Sequence, residues 1–165
     1  MKYLVRERLF GIGDDSWVED EHGAKAFHID GKVGRLRDTL ELQDPGGAVA
    51  ALVKQKLASW RPSMTIERDG ELLCTVKRKR LTLLRERFVA KLATGEQVDV
   101  IGNFVDKEFD IEYEGVRLAR ISRRWFRLRD TYAVDVRHQD ADPALLIAIA
   151  ICVDRIAERE RTEDH

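Results

Sequence analysis

The residues with the strongest claim to chemistry in this sequence are basic. Lys77, Arg78, Lys79 and Arg80 are consecutive, and Arg85 and Arg87 follow closely. A second run holds Arg117, Arg120, Arg123, Arg124, Arg127 and Arg129, interleaved with Trp125 and Phe126. Clusters of this kind hold phosphate groups, of nucleic acid or of anionic lipid headgroups. A plainer outcome competes with that one. Strand residues alternate in direction, the outward ones are often Lys or Arg, and Asp106, Glu108, Asp110 and Glu112 can neutralise one basic strand if they lie opposite it. Trp125 beside Phe126 has a similar explanation, since one of two adjacent strand residues points into the core. The candidate ligand set is Lys77, Arg78, Lys79, Arg80, Arg123, Arg124 and Arg127.

Catalytic constellations are missing from the sequence. His22 falls in an expected turn, His28 and His138 in expected strands, and His165 at the last position. No pair has the spacing of a zinc motif, and no nucleophile elbow surrounds Ser59, Ser63 or Ser122. Gly11-Ile12-Gly13 has part of a dinucleotide loop, but no helical pattern follows it, so a hairpin turn is expected. Asp14-Asp15 and Glu19-Asp20-Glu21 sit in turns without the alternate oxygen spacing of a calcium loop. The expectation is a non-enzyme with no cofactor and no metal.

Composition bounds the rest. The chain has 165 residues, 29 basic and 30 acidic, so net charge selects no partner class and nucleic acid is not favoured. A length of this order fits one domain with a substantial core; we expect a single unit over residues 1–165 with a charged tail from about residue 158. Hydrophobic content of 44% argues against disorder. Cys74 and Cys152 both lie in apolar runs and are expected to be inert core thiols, without support for a disulfide. Charged residues appear almost at once after Met1, so no signal peptide is expected and the protein is assigned to the cytoplasm, at most peripheral at a membrane.

The elements that must position these side chains are legible from turn signals. Short strands are expected at 3–10, 16–19, 24–29, 33–36, 39–43, 48–57, 64–68, 72–79, 87–92, 97–101, 104–113 and 116–126, with a last one around Tyr132, Val134 and Val136. Asp30-Gly31 and Asp69-Gly70 are short hairpin signals. Then Asp142-Pro143 opens a helix to about residue 161, an N-cap acceptor followed by proline at the first helical position. Ten apolar residues run unbroken from Ala144 to Val153 and cover every side of that helix. Such a helix must be enclosed, and the run is well short of the roughly 20 residues that span a bilayer. Roughly twelve antiparallel strands form a barrel too wide for its own side chains to fill. The architecture is therefore mainly β: a closed barrel enclosing a central hydrophobic C-terminal helix.

Several motifs resemble one family. They are Gly31-Lys32-Val33 with Asp38, Gln55-Lys56-Leu57 before Met64-Thr65-Ile66, Ile101-Gly102-Asn103-Phe104, and Ser122-Arg123-Arg124-Trp125-Phe126 running into Asp130-Thr131-Tyr132-Ala133-Val134-Asp135. With the terminal apolar helix, they resemble the LURP-one-related family over about residues 3–157, the stretch 122–136 being the most specific. That resemblance implies a Tubby-like C-terminal fold, a twelve-stranded barrel around a central helix, shared with phospholipid scramblases. It transfers no site residue. The function expected is a binding module for anionic lipid headgroups or another phosphate-bearing ligand; the alternative is a protein-interaction or signalling scaffold without lipid affinity.

Overall fold

A computed structural model of the chain describes residues 1–6, 16–31, 39–56, 60–81, 85–103, 108–123 and 131–163. The strands are β1 (Lys2–Arg6), β2 (Ser16–Asp20), β3 (Lys25–Gly31), β4 (Thr39–Gln43), β5 (Val49–Gln55) and β6 (Ser63–Arg68). They continue as β7 (Glu71–Leu81), β8 (Arg85–Leu92), β9 (Gln97–Asn103), β10 (Glu108–Tyr113), β11 (Val116–Ser122) and β12 (Thr131–Val136), before helix α1 (Pro143–Glu163). Each strand pairs antiparallel with its sequence neighbours, and β1 pairs with β12 to close a twelve-stranded barrel. The expected architecture is the one observed.

The hairpins follow from turn chemistry. Asp69 and Gly70, at φ 52° and 78°, and Glu114 and Gly115, at 47° and 79°, form two-residue turns of the kind that matches strand twist. Asp20 and Asp44 organise two longer turns by side chain: Asp20 Oδ1 accepts the Ala24 N–H at 2.9 Å, and Asp44 Oδ1 accepts that of Ala48 at 2.9 Å. Asp30-Gly31 is different. β3 runs straight through it, with Asp30 opposite Glu41 and Gly31 opposite Leu40. Continuing the ladder keeps Ile29 beside Leu42 in the core, a gain that outweighs the local turn preference. The strand expected at 33–36 lies outside the described residues, as do parts of those expected at 3–10, 104–113 and 116–126.

The helix is the core. Ala144 and every residue from Leu146 to Val153 are buried, with Ile156 and Ala157 continuing one face. Around them stand inward-facing residues such as Val5, Leu42, Val53, Ile66, Phe88, Ile111 and Tyr132. Each fully buried isoleucine of the helix contributes about 1.5–3 kcal/mol. Asp142 caps the helix, its Oδ1 accepting the Leu145 N–H at 3.3 Å, and α1 continues through the charged residues beyond 158. Among the described residues no helix is long and apolar enough to cross a membrane. Cys74 and Cys152 are buried and unbridged, and burial pushes the Cys74 thiol up to about 12, so it stays neutral. Gly102 faces Phe109 across the β9–β10 ladder, and the aromatic ring occupies the space a side chain there would need.

The topology gives the barrel two ends. The turns at 20–24, 44–48, 69–70, 93–96 and 114–115 all lie at one end, where α1 enters. The strand ends at Arg6, Ser16, Gly31, Thr39, Leu81, Arg85, Asn103, Glu108, Ser122 and Thr131 lie at the other. The β5–β6 connection, of which Lys56 and 60–62 are described, also belongs to that second end.

Candidate anion-binding end of the barrel

Alternation splits the first basic cluster across the wall of β7. Lys77 and Lys79 are exposed on the outside, while Arg78 turns inward. There it forms an ion pair with Glu86, whose side chain is 3% exposed, and its guanidinium lies 5.4 Å from the centre of the Phe88 ring. A bulge in the β7–β8 ladder leaves Lys79 between Arg78, paired with Phe88, and Arg80, paired with Arg87. An extra residue of this kind bends a strand and re-aims its side chains.

Arg123 is engaged in a similar way, although it is only partly buried. It pairs with Asp154 of the helix and lies 5.4 Å from the centre of the Tyr132 ring. Thus two of the candidate cations are engaged by a carboxylate and an aromatic face each. Arg124, Arg127 and the side chain of Arg80 lie outside what is described. Lys77 stands on β7 and Arg123 just past the end of β11, four strands apart, or about 19 Å along the wall at the usual strand spacing.

The outer wall shows where ion pairing prevails. Arg120 donates to Asp110 at 2.8 Å and Arg117 at 3.0 Å, and Arg120 also approaches Glu108 at 3.9 Å. The bond from Asp110 holds the Arg120 guanidinium above its ordinary value. Arg87 pairs with Asp99 at 2.8 Å and Lys54 with Glu67 at 2.7 Å. The described acids of β10 therefore do neutralise a basic strand, the adjacent β11. A shallow outer groove of about 400 Å³ runs over this region, lined by Arg85, Ile101, Glu108, Asp110, Glu112 and Arg120.

Lys56, Arg61, Lys77 and Lys79 differ from these. All four are exposed, and among the described residues none has a carboxylate partner. They share one arc of the rim: Lys56 N–H donates to Ser63 C=O at 2.9 Å across the β5–β6 connection, and Ser63 sits opposite Lys77 on β7. Between Lys56 and Ser63 projects Trp60, 98% exposed. Sequence reasoning missed Lys56, Trp60 and Arg61. The available signal was a tryptophan in a turn, against Arg61-Pro62, where no strand alternation could bury it.

The turns at the opposite end are acidic. Each of its five tight turns carries a carboxylate: Asp20 and Glu21, Asp44, Asp69, Glu96 and Glu114. The histidines gather no catalytic set. His28 stacks on Trp17 with centroids 4.8 Å apart and approaches Gln43 at 3.3 Å. His138, expected in a strand, lies just beyond β12, where its ring nitrogen accepts the Asp140 N–H. Among the described residues no three His, Cys, Asp or Glu side chains are grouped to hold a metal ion.

The sequence is 25% identical to YxjI of Bacillus subtilis (strain 168), a protein described as uncharacterized, over 164 residues that cover 99% of this chain and 98% of that one. No solved structure matches. The profile of the LURP-one-related family matches residues 1–154, the whole barrel and the first part of its helix. With a match over that much of its length, the chain belongs to the LURP-one-related family.

Proposed function

We propose that this protein is a non-enzymatic binding module that docks the basic end of its barrel on phosphate-bearing anionic surfaces. One observation carries the reading: Lys77 and Lys79 stand outward and exposed on β7 without carboxylate partners among the described residues, beside walls where other described cations are paired. A surface lysine that lacks a partner is neutralised best by an external anion. Each such cation near an anionic membrane contributes about 1 kcal/mol, so the rim as a whole sustains reversible attachment. The Tubby-like and scramblase-like kinship implied by the sequence resemblance agrees in kind, and supplies no residue. Arg80, Arg124 and Arg127 remain candidates from the sequence, whereas Arg78 and Arg123 are paired with carboxylates of the chain itself.

Sedimentation with phosphatidylglycerol and phosphatidylcholine vesicles over a salt series tests this. The protein should bind the anionic vesicles at low salt and release them as salt rises. Lys77→Glu with Lys79→Glu should cost at least about 2 kcal/mol of that binding, roughly thirtyfold, with an unchanged melting curve. Wild-type protein that ignores anionic vesicles at low salt overturns the proposal. In that case the exposed Val49, Leu72 and Val116, which begin β5, β7 and β11 at the acidic end, would favour the scaffold reading.

A further inference from the structure

Trp60 is the least buried large apolar side chain described, at 98% exposure, while the other exposed ones lie between 38% and 53%. Its backbone is held near the cationic rim. Only Arg61 and Pro62 lie between it and Ser63, so its Cα lies within about 11 Å of the Ser63 Cα, and Ser63 pairs with Lys77. Arg61 adjoins it in sequence, and Lys56 closes the same connection. An indole in water leaves a large apolar ring unburied while its N–H needs a polar neighbour. The headgroup layer of a bilayer satisfies both demands, which is why tryptophan collects there with lysine and arginine around it.

We infer that the rim formed by Lys56, Trp60, Arg61, Lys77 and Lys79 is a bilayer-docking surface on which Trp60 inserts at headgroup depth. The inference rests on the anionic-surface reading above and narrows it to a lipid bilayer rather than a soluble phosphate compound. Nucleic acid fits less well. Single strands are held by successive aromatic platforms along a basic groove, whereas the described residues of this arc present a single indole. The acidic turns face away from a membrane docked in this way, so the charge distribution and the insertion point select the same orientation.

Tryptophan emission provides the test. The Trp60 contribution is the wild-type spectrum minus that of Trp60→Ala, a substitution at a nearly contact-free side chain. With phosphatidylglycerol vesicles it should shift to the blue, and lipids brominated near the headgroup should quench it. Trp60→Ala should weaken vesicle affinity about tenfold through lost apolar burial in the interface, while binding remains salt-sensitive. Vesicle sedimentation with an unshifted, unquenched Trp60 and undiminished Trp60→Ala affinity overturns the insertion and leaves electrostatic attachment standing. Absence of sedimentation at low salt removes both. Single-stranded oligonucleotide that quenches Trp60 and displaces vesicles overturns the bilayer in favour of nucleic acid; soluble polyphosphate should leave Trp60 emission unchanged.

Discussion

The two ends of the barrel use charge in opposite ways. At the acidic end, Arg68 and Asp142 pair at 2.7 Å with both side chains about one-third exposed. That carboxylate also caps the helix, and the surrounding turns are two- to five-residue connections organised by Asp and Gly. At the basic end the comparable pairs are less exposed: Arg78 with Glu86 is nearly buried, and Arg123 with Asp154 is partly so, each with an aromatic ring beside the guanidinium. The lesson is that a charge count per end says little about available charge. Among the described residues, the basic end turns Arg78 and Arg123 to its own carboxylates, and a ligand meets Lys56, Arg61, Lys77 and Lys79.

The severest challenge to this contrast strikes the core that both ends share. Ile149→Asp places an unpaired carboxylate at a position of 0% exposure and should cost several kcal/mol. Circular dichroism and size-exclusion chromatography should show an unfolded or aggregated chain; a folded monomer would mean that the helix is not enclosed. Next comes a direct comparison of the ends by urea denaturation. Glu86→Ala strands a buried guanidinium and should lose about 3 kcal/mol. Asp142→Ala removes a cap and a solvent-screened pair and should lose about 1–2 kcal/mol. Equal losses, or the reverse order, would erase the distinction. The smallest expected effect is thermal: melting of the Lys77→Glu, Lys79→Glu variant should stay within about 0.5 kcal/mol of wild type, since these are surface positions.

The architecture was legible because its determinants are local or periodic. An unbroken apolar run with an Asp-Pro start can only be an enclosed helix, and Asp-Gly or Asp-Pro-Gly-Gly signals divide the remainder into strands. Asp30-Gly31 misled because a hairpin dipeptide states only a preference, which ladder pairing with Leu40 overrode. The site was less legible. Consecutive letters at 77, 78 and 79 look like one cluster, yet alternation sends Arg78 to the interior and its neighbours to solvent. Whether an arginine meets a carboxylate depends on contacts such as Arg123 with Asp154, thirty-one positions apart. Trp60 was the least legible, because its one signal was its place in a turn against Arg61-Pro62 and the degree of its exposure emerges only from the fold.

The β1–β12 pairing has a consequence for how the molecule is made. Ladder closure joins residue 2 to residue 135, and the Met1 amine donates to the Val136 carbonyl at 3.0 Å. The helix that fills the barrel follows still later. A ribosome adding about 5–20 residues per second therefore needs on the order of ten seconds to take the chain from its first strand to its core. During that interval twelve apolar-faced strands await the helix that covers them, so a stalled or truncated product is a ready substrate for chaperones and proteases.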